Sequence, residues 1–174
     1  MRPTRDQWAM EVACITAKRS TCLRRNVGCV MLNNRGHVLS TGYNGVAAGL
    51  PHCNEETGFN FVYGDGIDES KPLTGQQTDR KPVYDHACDG AYSPSGTNLD
   101  ACQAIHAEQN ALLQCRDVYS IHSIYVTSAP CITCTKLLLN TSCQRVVFLE
   151  DYPHAEAAKT LWETAGREWI KYTV

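Results

Sequence analysis

The segments His106-Ala107-Glu108 and Pro130-Cys131-Ile132-Thr133-Cys134 combine the residue types of a metal-centred hydrolytic site. Two cysteines three positions apart at a helix start sit one turn apart, so both thiolates reach one ion. A helix N-terminus also favours the anionic thiolate through its free N–H groups and its dipole. With His106 as third ligand, one tetrahedral position stays open for water, as a catalytic zinc requires. Glu108 lies two residues beyond His106, which inside a helix would turn it about 200° away. His106 is therefore expected at or near a helix start, where Glu108 can approach the water without ligating the metal. Zinc makes that water acidic enough to react near neutrality, and Glu108 is the group to move its proton. The competing reading is a closed structural zinc site, with Cys102 or Cys143 as fourth ligand.

These residues must be held by a regular frame. Trp8, Met10, Val12, Ala13, Ile15 and Ala17 suit an amphipathic first helix ending near Arg19. Val27–Leu32 and His37–Thr41 are β-prone runs joined by Asn33-Asn34-Arg35-Gly36, a hairpin signal. Cys102 to Cys115 reads as a helix, Ser123–Thr127 as a strand, Cys131–Asn140 as a helix and Arg145–Leu149 as a strand. A helix over 155–165 and a terminal strand from Glu168 to Thr173 complete the pattern. Helices alternating with strands after an opening hairpin predict an α/β fold, a three-layer αβα sandwich around a mixed five-stranded sheet. Residues 46–98 hold eleven Gly or Pro among 53 positions and little apolar periodicity, so they are expected to form one long irregular insertion. At 174 residues, the expectation is a single domain spanning 1–174.

Composition excludes several classes. An apolar content of 43% and a charged content of 20% suit a soluble globular protein that can bury a core. Apolar runs such as Val146–Leu149 fall far short of the ~20 residues that span a bilayer, and the charged N-terminal segment does not read as a secretory signal. No membrane partner is expected, and the default compartment is cytoplasmic. The formal charge of −2 lacks the positive field of a polynucleotide binder, so no long nucleic acid is expected either. Residues 46–105 carry nine acidic and three basic side chains, net −6, which leaves the remainder at net +4. Arg24 and Arg25 belong to that basic part and can meet a small phosphorylated ligand or cap the preceding helix. Ten cysteines without a secretory signal point to metal ligands and buried thiols rather than disulfides. Cys14, Cys29, Cys115 and Cys143 sit in apolar contexts and read as buried thiols, while His37, His122 and His154 read as loop or surface residues.

His-x-Glu followed by Pro-Cys-x-x-Cys is the signature of zinc nucleobase deaminases. Together with Thr21-Cys22-Leu23-Arg24-Arg25-Asn26-Val27-Gly28, Thr41-Gly42-Tyr43-Asn44-Gly45, Leu50-Pro51-His52-Cys53, His106-Ala107-Glu108-Gln109-Asn110-Ala111 and Tyr125 through Cys131, it resembles the deoxycytidylate (dCMP) deaminase family. The resemblance covers about residues 5–152. It implies zinc-dependent hydrolysis of dCMP to dUMP for thymidylate synthesis. It also implies a homo-oligomer, commonly a hexamer, activated by dCTP with Mg²⁺ and inhibited by dTTP. By position, Asn44 should contact the sugar, and Ser128-Ala129-Pro130 with the Ala107 backbone should bracket the pyrimidine. Tyr152 reads as a lid or as a surface aromatic. The regulatory nucleotide would lie near Tyr43-Asn44-Gly45, with Arg24 and Arg25 as candidate contacts, although Gly42 and Gly45 equally suit a turn and Tyr43 packing. Cys22, Cys53, His86, Cys88 and Cys102 fall where related proteins carry a second, structural zinc, and the choice between His86 and Cys88 stays open. Rival readings are a deaminase of a polynucleotide or of the free nucleoside, and a catalytically inert zinc scaffold.

Overall fold

The computed structural model describes residues 1–62 and 79–173, so part of the expected insertion, residues 63–78, lies outside the described residues. Helix α1 (Arg5–Ala17) starts where Thr4 Oγ1 accepts from the Gln7 N–H at 3.1 Å, which satisfies one of the donors a helix start leaves free. Its buried face is Ala9, Met10, Ala13 and Ala17, three of them alanines, so the helix lies close on the sheet.

Five strands form that sheet: β1 (Gly28–Leu32), β2 (Val38–Tyr43), β7 (Ser123–Ser128), β8 (Arg145–Glu150) and β9 (Glu168–Lys171), in the order β2-β1-β7-β8-β9. β1 pairs antiparallel with β2 and β7, whereas β7, β8 and β9 run parallel, as expected of a mixed sheet. The hairpin turns at Gly36, whose φ of 83° is left-handed. Every residue of β1 and β7 is buried, because both faces of the sheet are covered. Val30, Leu32, Tyr125 and Val147 face α1, while Cys29, Met31, Ile124, Val126, Val146 and Phe148 face the other side. That second side is covered by α2 (Ala107–Gln114), α3 (Ile132–Leu139) and α4 (Glu156–Thr164), which place Ala111, Leu138 and Trp162 in its core. Burying a side chain the size of Leu138 contributes about 1.5–3 kcal/mol. The arrangement is the expected three-layer sandwich, with one helix on one face and three on the other.

Two expectations need correction. The helix does not begin at Cys102: a 3₁₀ turn (Leu99–Ala101) and β6 (Ala104–Ile105) come first, and α2 starts only at Ala107. The apolar spacing of Ala101, Ala104 and Ile105 imitates a helix face, but Ala104 and Ile105 pair antiparallel with β3 (Gly45–Val46). Nor is the insertion wholly irregular. The β3–β6 ladder closes its base, and β4 (Gly58–Val62) pairs with β5 (Asp79–Val83) inside it. Cys29 and Cys143 are buried as expected, but Cys14 and Cys115 are only half-buried.

Candidate active site

The chemistry-bearing residues converge at the carboxyl end of β7 and the start of β1, where helices α2 and α3 begin. His106 is the N-cap of α2 and Cys131 the N-cap of α3, so the metal triad is built from two helix starts. The Gln109 side-chain carbonyl accepts from the His106 N–H at 2.9 Å, and the Asn110 amide donates to the Tyr43 carbonyl at 2.8 Å, fixing α2 to the end of β2. The closeness of α2 to β2 depends on Gly42, where a Cβ would stand 2.2 Å from the Ala107 carbonyl oxygen. Gly42 therefore serves packing within a strand rather than a turn.

His106 Nδ1 lies 3.4 Å from both Cys131 Sγ and Cys134 Sγ, and the three ligand atoms all fall within 4.8 Å of one another. Ligands held tetrahedrally by zinc, with bonds of about 2.0–2.3 Å, stand about 3.5–3.8 Å apart, so this donor set fits the ion with little movement. Hydrogen bonds from Cys134, and then from His106, pull the Cys131 thiol down to about 4 against the effect of burial. Its partner Cys134 is pushed far up, first by donating to Cys131 and then by burial. The contact with Cys131 likewise raises His106. Glu108, in the first turn of α2, is 4% exposed and burial pushes its carboxyl up to about 7, with His106 and the Cys134 thiol opposing the rise. A carboxyl poised near neutrality beside a metal triad is equipped to accept and return a proton.

His106, Cys131 and Glu108 line a cavity of about 90 Å³, and Cys134 is fully buried. Asn44, Ala107, Ser128, Ala129 and Tyr152 line it, whereas Pro130 is buried just behind the wall. The Asn44 amide is engaged in the protein, accepting from the Val27 N–H at 2.8 Å and donating to the Arg25 carbonyl at 2.7 Å. Ser128 Oγ is buried and finds no hydrogen-bond partner among the described residues. Arg24 and Arg25 also line this cavity, beside Asn44, whose amide donates to the Arg25 carbonyl. Arg25 pairs with Glu150 at 3.3 Å. Arg24 Nε and Arg25 Nη1 are buried donors without partners among the described residues. Around Gly45 the backbone is occupied: the Asn44 N–H donates to the Val27 carbonyl and the Val46 N–H to Thr21 Oγ1.

Ser95, Gly96 and Leu99 line the same pocket, and sequence reasoning missed them. They sit in a Gly- and Pro-rich stretch with no periodicity, so no local signal marks them. Cys22, Cys53, Cys88 and Cys102 meet near the base of the insertion, with Cys53 and Cys88 buried and in mutual contact. Burial acts to raise the Cys88 thiol, but hydrogen bonds from the Gln103 backbone and from Cys53 outweigh it and leave the thiol lowered. His86 is exposed, whereas Cys88 is buried among these thiols. Among the described residues, only His106, Cys131 and Cys134 have all their ligand atoms within 4.8 Å.

A histidine and two thiols at two helix starts, with a buried glutamate in the first turn of one of them, are the residue set of a zinc-binding deaminase. Residues 3–150 match the family described as the cytidine and deoxycytidylate deaminase zinc-binding region, and the chain belongs to that family. Within it, the chain is 34% identical over 148 residues to the deoxycytidylate deaminase of Mycobacterium phage D29, a match covering 84% of this chain and 95% of the relative. It is 32% identical to the deoxycytidylate deaminase of Schizosaccharomyces pombe, over 98% of this chain and 45% of the relative, so it spans less than half of that protein's length. The structure of the dCMP deaminase from cyanophage S-TIM5 in complex with dCMP and dUMP shares the fold, with a TM-score of 0.64, 20% identity and 99% coverage of each chain. Among the described residues, no helix is long and apolar enough to cross a membrane.

Proposed function

We propose that the chain hydrolyses dCMP with one water to dUMP and ammonia, and so supplies dUMP for thymidylate synthesis. One observation carries the choice of a nucleotide over a nucleoside. Two buried guanidinium donors, Arg24 Nε and Arg25 Nη1, lack partners among the described residues and belong to side chains lining the same pocket as Glu108. Buried donors of this kind are costly unless a ligand satisfies them, and a 5′-phosphate is the matching acceptor. The names of the phage and yeast relatives support the same substrate.

His106, Cys131 and Cys134 would hold the zinc, which when bound supplies Lewis-acid activation of the attacking water. Glu108 would accept that water's proton and deliver it to the pyrimidine ring nitrogen as oxygen adds to C4; it would then take the proton of the new C4 hydroxyl and pass it to the departing amine, so that the C–N bond breaks and leaves the keto base and ammonia. The Ser128 hydroxyl and the Ala107, Ala129 and Pro130 backbones orient the pyrimidine. Asn44 holds the Arg25–Val27 segment beside the sugar, and Tyr152 covers the nucleotide. Four thiols, Cys22, Cys53, Cys88 and Cys102, are the candidate ligands of a second zinc.

Family resemblance alone supports a homohexamer that dCTP with Mg²⁺ activates and dTTP inhibits through the Tyr43–Gly45 segment. Ten unpaired cysteines suit a reducing compartment, and the protein is assigned to the cytoplasm. The deciding experiment is ammonia release from dCMP, deoxycytidine, dCTP and a short cytosine-containing DNA, with zinc measured on the same sample. Preference for dCMP upholds the reading. Equal rates on deoxycytidine would remove the phosphate argument, and zinc without turnover on any substrate would leave an inert scaffold. Rates indifferent to dCTP and dTTP would end the regulatory part.

A further inference from the structure

The insertion supplies a wall of the catalytic pocket through Ser95, Gly96 and Leu99. Hydrophobic burial does not hold that wall, because no residue from Tyr92 to Ala101 is buried. Arg24 holds one edge: its Nη1 donates to the Thr97 carbonyl at 3.0 Å, and its Nη2 donates to the Gly90 carbonyl. Gly90 fits closely here, since a Cβ on it would stand 2.8 Å from Arg24 Nη2. The other edge meets the loop after β8. Gly96 has a φ of 83°, and a Cβ on it would lie 2.6 Å from His154 Cδ2 and 3.3 Å from Tyr152 Oη. The rings of Tyr152 and His154 meet edge-on with centroids 6.1 Å apart, which makes that edge firm.

We propose that this wall limits substrate length, with Arg24 as the positioning residue that clasps it and Gly96 as the seam that lets it close against Tyr152 and His154. The inference rests on the reading of the pocket as a cytosine mononucleotide site. Glu108 and the metal triad occupy the end where the base reacts, so sugar and phosphate lie toward the guanidiniums. The wall is hydrogen-bonded to one of those guanidiniums and therefore stands at the phosphate end. A phosphate that ends there fits, whereas a phosphate esterified to a further nucleotide meets the backbone of residues 95–99. Rejection of polynucleotides thus comes from a clasped loop as well as from the low net charge.

The test compares kcat/KM for dCMP with that for the dinucleotide d(TpC), in which the 5′-phosphate of the cytosine nucleotide is esterified. Wild type, Arg24→Ala and Gly96→Asn are measured by ammonia release, with zinc content checked in each. Asparagine tolerates positive φ, so the second variant adds bulk at the seam with little backbone strain and without touching the guanidinium. Wild type is expected to favour dCMP by about 100-fold or more, and each variant to narrow that preference about tenfold with zinc retained. Because both substrates carry a phosphate, their ratio separates the wall from a plain phosphate contact. An unchanged ratio in Gly96→Asn, or a wild type that accepts d(TpC) as readily as dCMP, overturns the inference. Failure of wild type to turn over dCMP at all would instead remove the reading beneath it.

Discussion

A Cβ on Gly42 would stand 2.2 Å from the carbonyl oxygen of Ala107, so β2 and the catalytic helix meet backbone to backbone. Any side chain at 42 must push away the turn that carries His106 and Glu108. Gly42→Ala is expected to lower stability by about 1–3 kcal/mol. Because a shift of an ångström in reacting groups costs up to about 100-fold, kcat should fall tenfold or more. Thermal melts and steady-state rates check this, and a variant with wild-type Tm and rate would show that α2 is not held by this contact.

Glu108→Gln separates chemistry from architecture. Burial already favours the uncharged carboxyl, so a neutral amide of the same shape should leave Tm close to wild type. Zinc content should hold, since Glu108 is not among the proposed ligands His106, Cys131 and Cys134. Turnover is expected to fall about 10²–10⁴-fold, the usual contribution of a positioned acid–base group. Wild-type rates in this variant would take Glu108 out of the mechanism.

The legible parts of the sequence were those where local rules and burial agree. The hairpin signal and the alternation of helices and strands around a mixed sheet follow from periodicity and turn chemistry, and the start of α3 with its two thiols follows from Cys-x-x-Cys spacing. His106 at a helix start was derived from the position of Glu108 and conflicts with a helix drawn from Cys102. The conflict arose because Ala104 and Ile105 are apolar for strand pairing with Gly45 and Val46, a contact between segments far apart in sequence. The wall at residues 95–99 was illegible for a related reason. Its position is set by hydrogen bonds from Arg24, more than sixty residues earlier, and by a seam with Tyr152 and His154. The thiol cluster was legible as residue types, and the burial that separates Cys88 from His86 was not.

Zinc stoichiometry tests that cluster. Four thiolates binding one ion must draw to about 3.8 Å of one another, closer than the four cysteines stand here. With the metal bound, wild type should carry two zinc ions per chain, Cys88→Ser about one, and His86→Ala two, as read by metal analysis after gel filtration. Loss of zinc in His86→Ala but not in Cys88→Ser would reverse the assignment, and one ion per chain in wild type would remove the second site.

On the opposite end of the sheet, the Tyr125 hydroxyl donates to Asp6 Oδ1 at 2.5 Å, and Arg145 reaches Asp6 Oδ2 at 3.3 Å. Burial acts to raise the Asp6 carboxyl, but the hydrogen bonds from Tyr125 and Arg145 outweigh it, so Asp6 lies below its ordinary value of 3.8. A lowered carboxyl binds its proton less tightly in the folded state. Its stabilising effect is therefore complete above 3.8 and is lost as pH falls through the lower, folded value. Tyr125 behaves in the opposite sense: burial, and then Asp6, push it up to about 12, so its contribution is complete below 10 and is lost toward that value. Asp6→Asn is expected to cost about 1–2 kcal/mol at neutral pH by weakening the acceptor for the buried hydroxyl and the ion pair with Arg145. The Tm difference between wild type and Asp6→Asn should be constant from about pH 7 down to pH 5 and shrink only below about pH 4. A difference that stays constant through the acid range would show that Asp6 does not titrate with the fold.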